Sequence, residues 1–395
     1  MGRAKFLQKE FSYLIVGIVL VSLIFLVYLF YPQPAVLPQV KESEMVEIPQ
    51  EVKEEIKTLP DGTKYLVHPS LILSGGPPKG GIGVDRGIPA IVNPKFETAT
   101  EATWLSDNDL IFGLVVDGVA RAYPKQILVF HEIANDKIND KPILVTYCPL
   151  CGTGIAFEGR LPTGEEANFG TSGKLYNSNL VMYDDKTDSY WTQVGGKAIV
   201  GQLTGAKLKQ IPMDTVLWKD WKQLHTDTQV LSKNTGFVRP YGADPYGDYY
   251  SDAFVGFGAS FTDNRLHPKV MVSGVEINGV EKAYPVIEVD KAGLVNDVVG
   301  DVNILVVKDP KIDIGEGFEI NPQRVFNREV DGKVLTFELR NNRLFDKETG
   351  SEWNFDGEAI AGIDKGKKLE QVPAESAMWF SWLSFNPKTE LYKAK

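Results

Sequence analysis

Two long stretches of the chain repeat the same order of apolar, polar and turn positions. GLVVDGVARAYP from Gly113 returns as GVEINGVEKAYP from Gly274, and Tyr123-Pro124 maps onto Tyr284-Pro285 at an offset of 161 (284 − 123). Without a gap, that offset carries Asn135-Asp136 to Asn296-Asp297, Ile143-Leu144-Val145 to Ile304-Leu305-Val306, and Trp218 and Trp221 to Trp379 and Trp382. So many matches at one spacing point to a tandem duplication. Within each copy, Asp117-Gly118 or Asn278-Gly279 between alternating apolar positions predicts a β-hairpin. Tyr-Pro then suits entry to a helix, and Ile127, Phe130, His131 and Ala134 recur at helical spacing up to an expected end near Asn135-Asp136. Pro142 to Tyr147 reads as a buried strand, several short strands follow, and a helix around Asp214–Leu224 closes the module. The expected fold class is α+β, with two duplicated modules of mostly antiparallel sheet.

One segment breaks this pattern. Phe11–Tyr31 is apolar or aromatic except at Ser12, Gly17 and Ser22, with Arg3, Lys5 and Lys9 before it. About 20 such residues cross a bilayer as a helix, and the positive flank places residues 1–10 in the cytoplasm. The run is long for a signal peptide and lacks a small-residue cleavage site, so the expectation is an uncleaved signal anchor over 11–31. That predicts a single-pass protein of the cytoplasmic membrane with its body outside. Residues 32–60 read as a Pro-, Val-, Glu- and Lys-rich stalk, part helical around Glu51–Lys57. The body then divides into a first module (61–235), a Tyr- and Gly-rich connector (236–270) and a second module (271–395).

A net charge of −10 with no evident basic face argues against nucleic acid as a partner. Phosphate-loop, dinucleotide and nucleophile-elbow patterns are absent from the sequence.

The duplication supplies an internal comparison: matching positions serve the fold, and differing ones are candidates for chemistry. His131 faces Ala292, Glu132 faces Gly293, Cys148 faces Asp309 and Cys151 faces Ile312. The first copy also carries an extra loop from Phe169-Gly170-Thr171-Ser172-Gly173 to Asn177-Ser178-Asn179. Any site is therefore expected in the first module, leaving the second a degenerate copy that could dock a protein partner or a small ligand.

Tyr147-Cys148-Pro149-Leu150-Cys151-Gly152 holds both cysteines of the chain and admits three readings. A structural disulfide would close so short a loop that it adds only about 2 kcal/mol. A thiol–disulfide oxidoreductase would use Cys-x-x-Cys, although turn and strand follow here instead of the helix that normally acidifies the first thiol. The third reading is a metal knuckle: two thiolates with the imidazole of His131 would suit copper as Cu(I), or zinc with an open position. That last reading leads, with His131, Cys148 and Cys151 as ligands. Glu132 is expected on another side of the helix, as a cap or in solvent. Thr171, Ser172 and Asn177 of the extra loop, with Arg239 and Tyr241 of the connector, are candidate ligand contacts.

Several ordered motifs resemble one family. Gly-Gly-Pro-Pro-Lys at Gly75, Ile88-Pro89-Ala90, Arg121-Ala122-Tyr123-Pro124, His131-Glu132-Ile133, Tyr147-Cys148-Pro149-Leu150-Cys151, Phe169-Gly170-Thr171-Ser172-Gly173 and Arg239-Pro240-Tyr241-Gly242 are similar to those of domain-of-unknown-function family 3179 (DUF3179). The resemblance spans roughly Gly75 to Tyr250 and beyond. It implies an extracytoplasmic or membrane-anchored protein of bacteria or archaea, and it implies no activity.

Overall fold

Val-, Ile- and aromatic-rich runs form short antiparallel strands, and each Tyr-Pro pair turns its strand into a seven-residue helix. The computed structural model describes residues 48–395 apart from Pro78 and Ser260. The hairpin strands Leu110–Val116 and Val119–Pro124 lead into the helix Lys125–His131, followed by strands Ile133–Ile138, Lys141–Cys148 and Thr153–Glu158. In the second half, Met271–Ile277 and Val280–Pro285 lead into the helix Val286–Ala292, then strands Leu294–Val299, Val302–Val307 and Arg324–Asn327. The fold is α+β with several sheets.

Register repeats between the halves at the same offset of 161. Ile111 pairs with Pro124 as Val272 pairs with Pro285. Ile133 pairs with Thr146 as Leu294 pairs with Val307. Asp214 pairs with Gly113 as Glu375 pairs with Gly274. Side chains repeat too: Trp221 and Trp382 each donate their indole N–H to a threonine hydroxyl, Thr228 and Thr389, at 2.9 Å. The phenols of Tyr123 and Tyr284 donate to the carboxylates of Asp136 and Asp297.

The halves nonetheless share one core. A nine-stranded sheet runs from Glu390–Leu391 through the second half's hairpin and Glu375–Met378, then crosses to Thr153–Glu158 of the first half. The crossing point is the antiparallel pair Gly154 and Ser376. Glycine is required where indoles lie flat on strands: a Cβ on Gly113 or Gly274 would overlap the ring of Trp221 or Trp382. Gly274→Ala is expected to cost about 1–3 kcal/mol through overpacking, read as a lower urea midpoint at unchanged m-value.

Two expectations are corrected here. The first helix ends at His131 instead of near Asn135, because Glu132 takes a left-handed backbone (φ 56°) and sends the chain into the strand Ile133–Ile138. The second concerns the membrane. No helix among the described residues is long and apolar enough to cross one, and seven residues rise only about 10 Å against a hydrocarbon core of about 30 Å. The expected anchor over 11–31 lies outside the described residues, as do residues 1–10 and the stalk up to residue 47. The reading of a membrane-anchored, outward-facing protein is therefore withdrawn. At the end of the expected stalk, Gln50–Glu55 is a helix, and a Cβ on Gly205 would touch Ile48, Val52 and Ile56, so this segment lies against the body.

Candidate functional site

The strand Lys141–Cys148 delivers Cys148 into the core, and proline at the next position begins a single 3₁₀ turn, Pro149–Cys151. Gly152 closes that turn in the left-handed region (φ 57°), and its N–H bonds back to Pro149 O at 3.3 Å. The strand Thr153–Glu158 then returns antiparallel, with Thr153 opposite Cys148. The two thiols therefore sit at the tip of a buried hairpin, 2% and 0% exposed. Both are free, so the structural disulfide is not formed. Both point at one acceptor, the carbonyl of Ser178, with Cys151 Sγ at 3.3 Å and Cys148 Sγ at 3.9 Å.

The two sulfurs are electrostatically unlike. Burial pushes the Cys148 thiol well up, and donation toward Cys151 pushes it further. Burial also opposes ionisation of Cys151, but its polar neighbours, Cys148 first and then Ser381, Asn179 and Thr153, outweigh it and hold that thiol below its ordinary range. Cys151 is thus the favoured thiolate. A polar scaffold stands behind it: Gln193 Nε2 donates to Thr153 O at 2.8 Å and to Thr146 Oγ1 at 3.0 Å, and Gln193 Oε1 accepts from Asn179 at 2.8 Å.

Glu132 joins this enclosure. Burial pushes its carboxyl up to about 8, and the charge on Cys151 adds to that. Glu132 was expected as a cap or in solvent; it does cap the helix, its N–H bonding back to Leu128 O, but the left-handed turn brings its side chain inside. The internal comparison held the signal. The repeat places Gly293 here, also at positive φ (77°), where glycine is unstrained, whereas a glutamate at φ 56° holds a conformation disfavoured for residues with a Cβ.

Connector and second half close the site. Tyr249 donates its hydroxyl to Leu150 O at 2.7 Å, and the Nζ of buried Lys269 lies 3.4 Å from the Tyr249 ring centroid. Lys125 Nζ stands 3.7 Å from the Tyr250 ring centroid and pairs with Asp244 at 2.9 Å. Met378 and Met271 of the second half crowd Gly152, where an added Cβ would lie 3.1 Å and 3.4 Å from them.

His131 points elsewhere. Its Nδ1 lies 2.7 Å from Pro89 O, and its Nε2 lies 2.7 Å from the Tyr241 hydroxyl. A carbonyl only accepts, so Nδ1 carries the proton and Nε2 accepts from tyrosine. Burial lowers the imidazole to about 4, keeping it neutral. With both nitrogens engaged, no lone pair is left for a metal. Among the described residues no group of three or more His, Cys, Asp or Glu side chains could hold one. The expected copper or zinc site of His131, Cys148 and Cys151 is corrected accordingly: the cysteines meet, and the histidine does not join them.

The remaining candidates are tied up within the protein. Thr171 Oγ1 donates to Ile88 O at 2.7 Å, Ser172 Oγ donates to Val181 O, and Asn177 Nδ2 donates to Ser384 O at 3.1 Å. Arg239 pairs with Asp85 at 2.5 Å, and the Tyr241 hydroxyl lies 2.6 Å from Thr235 Oγ1 besides serving His131.

Residues 85–389 match the family described as "Protein of unknown function (DUF3179)". The chain belongs to that family. The match reaches through the second half, so the copy without cysteines is part of what defines the family. No curated protein and no solved structure matches the chain.

Proposed function

We propose that Cys148 and Cys151 form a redox-active dithiol that reduces a disulfide substrate. The observation that carries this reading is the unequal pair: two free, buried thiols side by side in one turn, with Cys148 held well above its ordinary range and Cys151 below it. Thiol–disulfide exchange needs one thiolate to attack and one thiol to resolve. Cys151 thiolate attacks one sulfur of the substrate disulfide, forms a mixed disulfide and expels the first substrate thiolate. Cys148 loses its proton as its sulfur attacks that of Cys151, which expels the second. The protein gives up two electrons and closes a Cys148–Cys151 bond, and the proton of Cys148 and one from water complete two substrate thiols. No helix N-terminus stands behind the motif; polar neighbours of Cys151 favour its thiolate instead. Tyr249 roofs the pair, its hydroxyl on Leu150 O at 2.7 Å.

The test is anaerobic reaction of the reduced full chain with bis(2-hydroxyethyl) disulfide, followed by intact mass and released thiol. The expected result is two thiols released per chain and an internal disulfide. Cys148→Ser should stop at the mixed disulfide on Cys151, and Cys151→Ser should release far less thiol. The reading is abandoned if wild type releases no thiol, or if Cys148→Ser still yields two.

A further inference from the structure

The near-symmetry of the halves exposes a carboxylate without its partner. In the first half, Asp214 on the strand Asp214–Leu217 is met by Arg324 from the second half, with Nε at 2.8 Å and Nη2 at 2.7 Å from Oδ2. Gln371, also from the second half, donates to Oδ1 at 3.3 Å. The repeat of Asp214 is Glu375, which pairs with Gly274 as Asp214 pairs with Gly113. The repeat of Gln371 is Gln210, each set opposite a phenylalanine one strand over, Phe326 and Phe157.

The repeat of Arg324 is not a cation. Arg324 pairs with Val307 and, one repeat earlier, Ile155 pairs with Thr146. The first half thus offers a buried isoleucine where the second offers a guanidinium. Glu375 is left 6% exposed, with Oε1 on the Gly195 N–H at 2.9 Å and Oε2 buried with no hydrogen-bond partner.

Glu375 lines a cavity of about 380 Å³ with Lys207, Gln210, Gly274, Glu276 and Trp382. That volume is within the range of small-molecule sites, roughly 300–1,000 Å³. Lys207 does not fill the role of Arg324, because its ammonium pairs with Glu276 at 2.7 Å and its side chain is half exposed. Burial pushes the Glu375 carboxyl up to about 7, as expected for an acid whose counter-charge is missing. A carboxylate whose one oxygen accepts two N–H groups of a planar guanidinium in one half, and whose repeat lacks that partner beside a cavity in the other, selects for that chemistry.

We infer that this cavity binds a small organic cation bearing a guanidinium group, with Glu375 as its counter-ion and Glu276 at its rim. The site shares no residue with the dithiol, so the two proposals stand or fall separately.

The test is calorimetric titration of the full chain with n-butylguanidinium, using n-butylurea as a neutral probe of the same shape. Saturable binding of the cation and none of the urea is expected. Glu375→Gln should weaken binding at least about tenfold, the usual weight of a charge-assisted hydrogen bond. Lys207→Met, on the surface and harmless to the fold, should tighten it about threefold by removing a like charge at the rim. Equal binding of urea and cation overturns the inference, as does failure of wild type to bind. So does Glu375→Gln binding as wild type, or Lys207→Met binding more weakly.

Discussion

Glu132→Gln is expected to stabilise the protein at alkaline pH by on the order of 5 kcal/mol relative to wild type. A carboxyl raised by folding contributes stability that is fully present below its unfolded value, 4.5, and is lost as pH rises through its folded value, here about 8. At about 1.4 kcal/mol per pH unit, that interval sets the magnitude. Glutamine cannot ionise, so its part of the slope vanishes, while the slope from Glu375, raised to about 7, remains in both proteins. On the acid side the sign reverses. His131 is lowered from 6.5 to about 4, so the stability it contributes is present above 6.5 and lost as pH falls through 4. Urea unfolding from pH 4 to pH 9 checks both groups: Glu132→Gln should remove the fall that Glu132 causes between pH 4.5 and about 8, and should steepen the rise due to His131 where the two windows overlap, from 4.5 to 6.5. Equal alkaline slopes in the two proteins would show that Glu132 is not buried as described. The same variant should speed alkylation of Cys151 above neutrality, because a repelling carboxylate is gone.

What the sequence made legible followed from position along the chain. The recurring Tyr-Pro and Trp-x-x-Trp pairs announced a shared register, and strand pairing at an offset of 161 is their physical consequence. The Cys-Pro-x-Cys turn was legible because proline and the trailing Gly152 dictate a tight turn with both sulfurs on one side. What was not legible depended on distant chain. Helical periodicity grouped His131 with the core, yet Pro89 and Tyr241 decide which way its ring faces, and neither is near in sequence. The burial of Glu132 turned on one backbone angle, since nothing in a helical pattern signals that its capping residue turns left-handed and inward. Ser381, Met271 and Met378 reach the dithiol from the second half, across a sheet whose continuity no local pattern reveals. The copy without cysteines therefore helps to build their site.

That interdependence has a large energetic test. Arg324→Met is expected to destabilise the whole body by about 3–5 kcal/mol, the usual cost of removing one partner from a buried ion pair. Arg324 lies on the strand Arg324–Asn327 and reaches across to Asp214 of the first half, and it also pairs with Asp356 at 2.8 Å and donates to Phe355 O at 3.1 Å. Methionine fills much of the same space, so the loss isolates charge from volume. It leaves Asp214, only 10% exposed at its side chain, with the single bond from Gln371. The double variant Arg324→Met/Asp214→Leu should recover a large part of the loss, because breaking the pair strands a buried charge, whereas an apolar pair of similar size avoids desolvating either ion. Urea unfolding followed by tryptophan fluorescence reads both halves, since Trp218 and Trp221 lie in the first and Trp379 and Trp382 in the second. A single transition moved to lower urea is expected, because the nine-stranded sheet binds the halves into one cooperative unit. An unchanged midpoint in Arg324→Met would overturn this account of the interface and, with it, the contrast between Asp214 and Glu375.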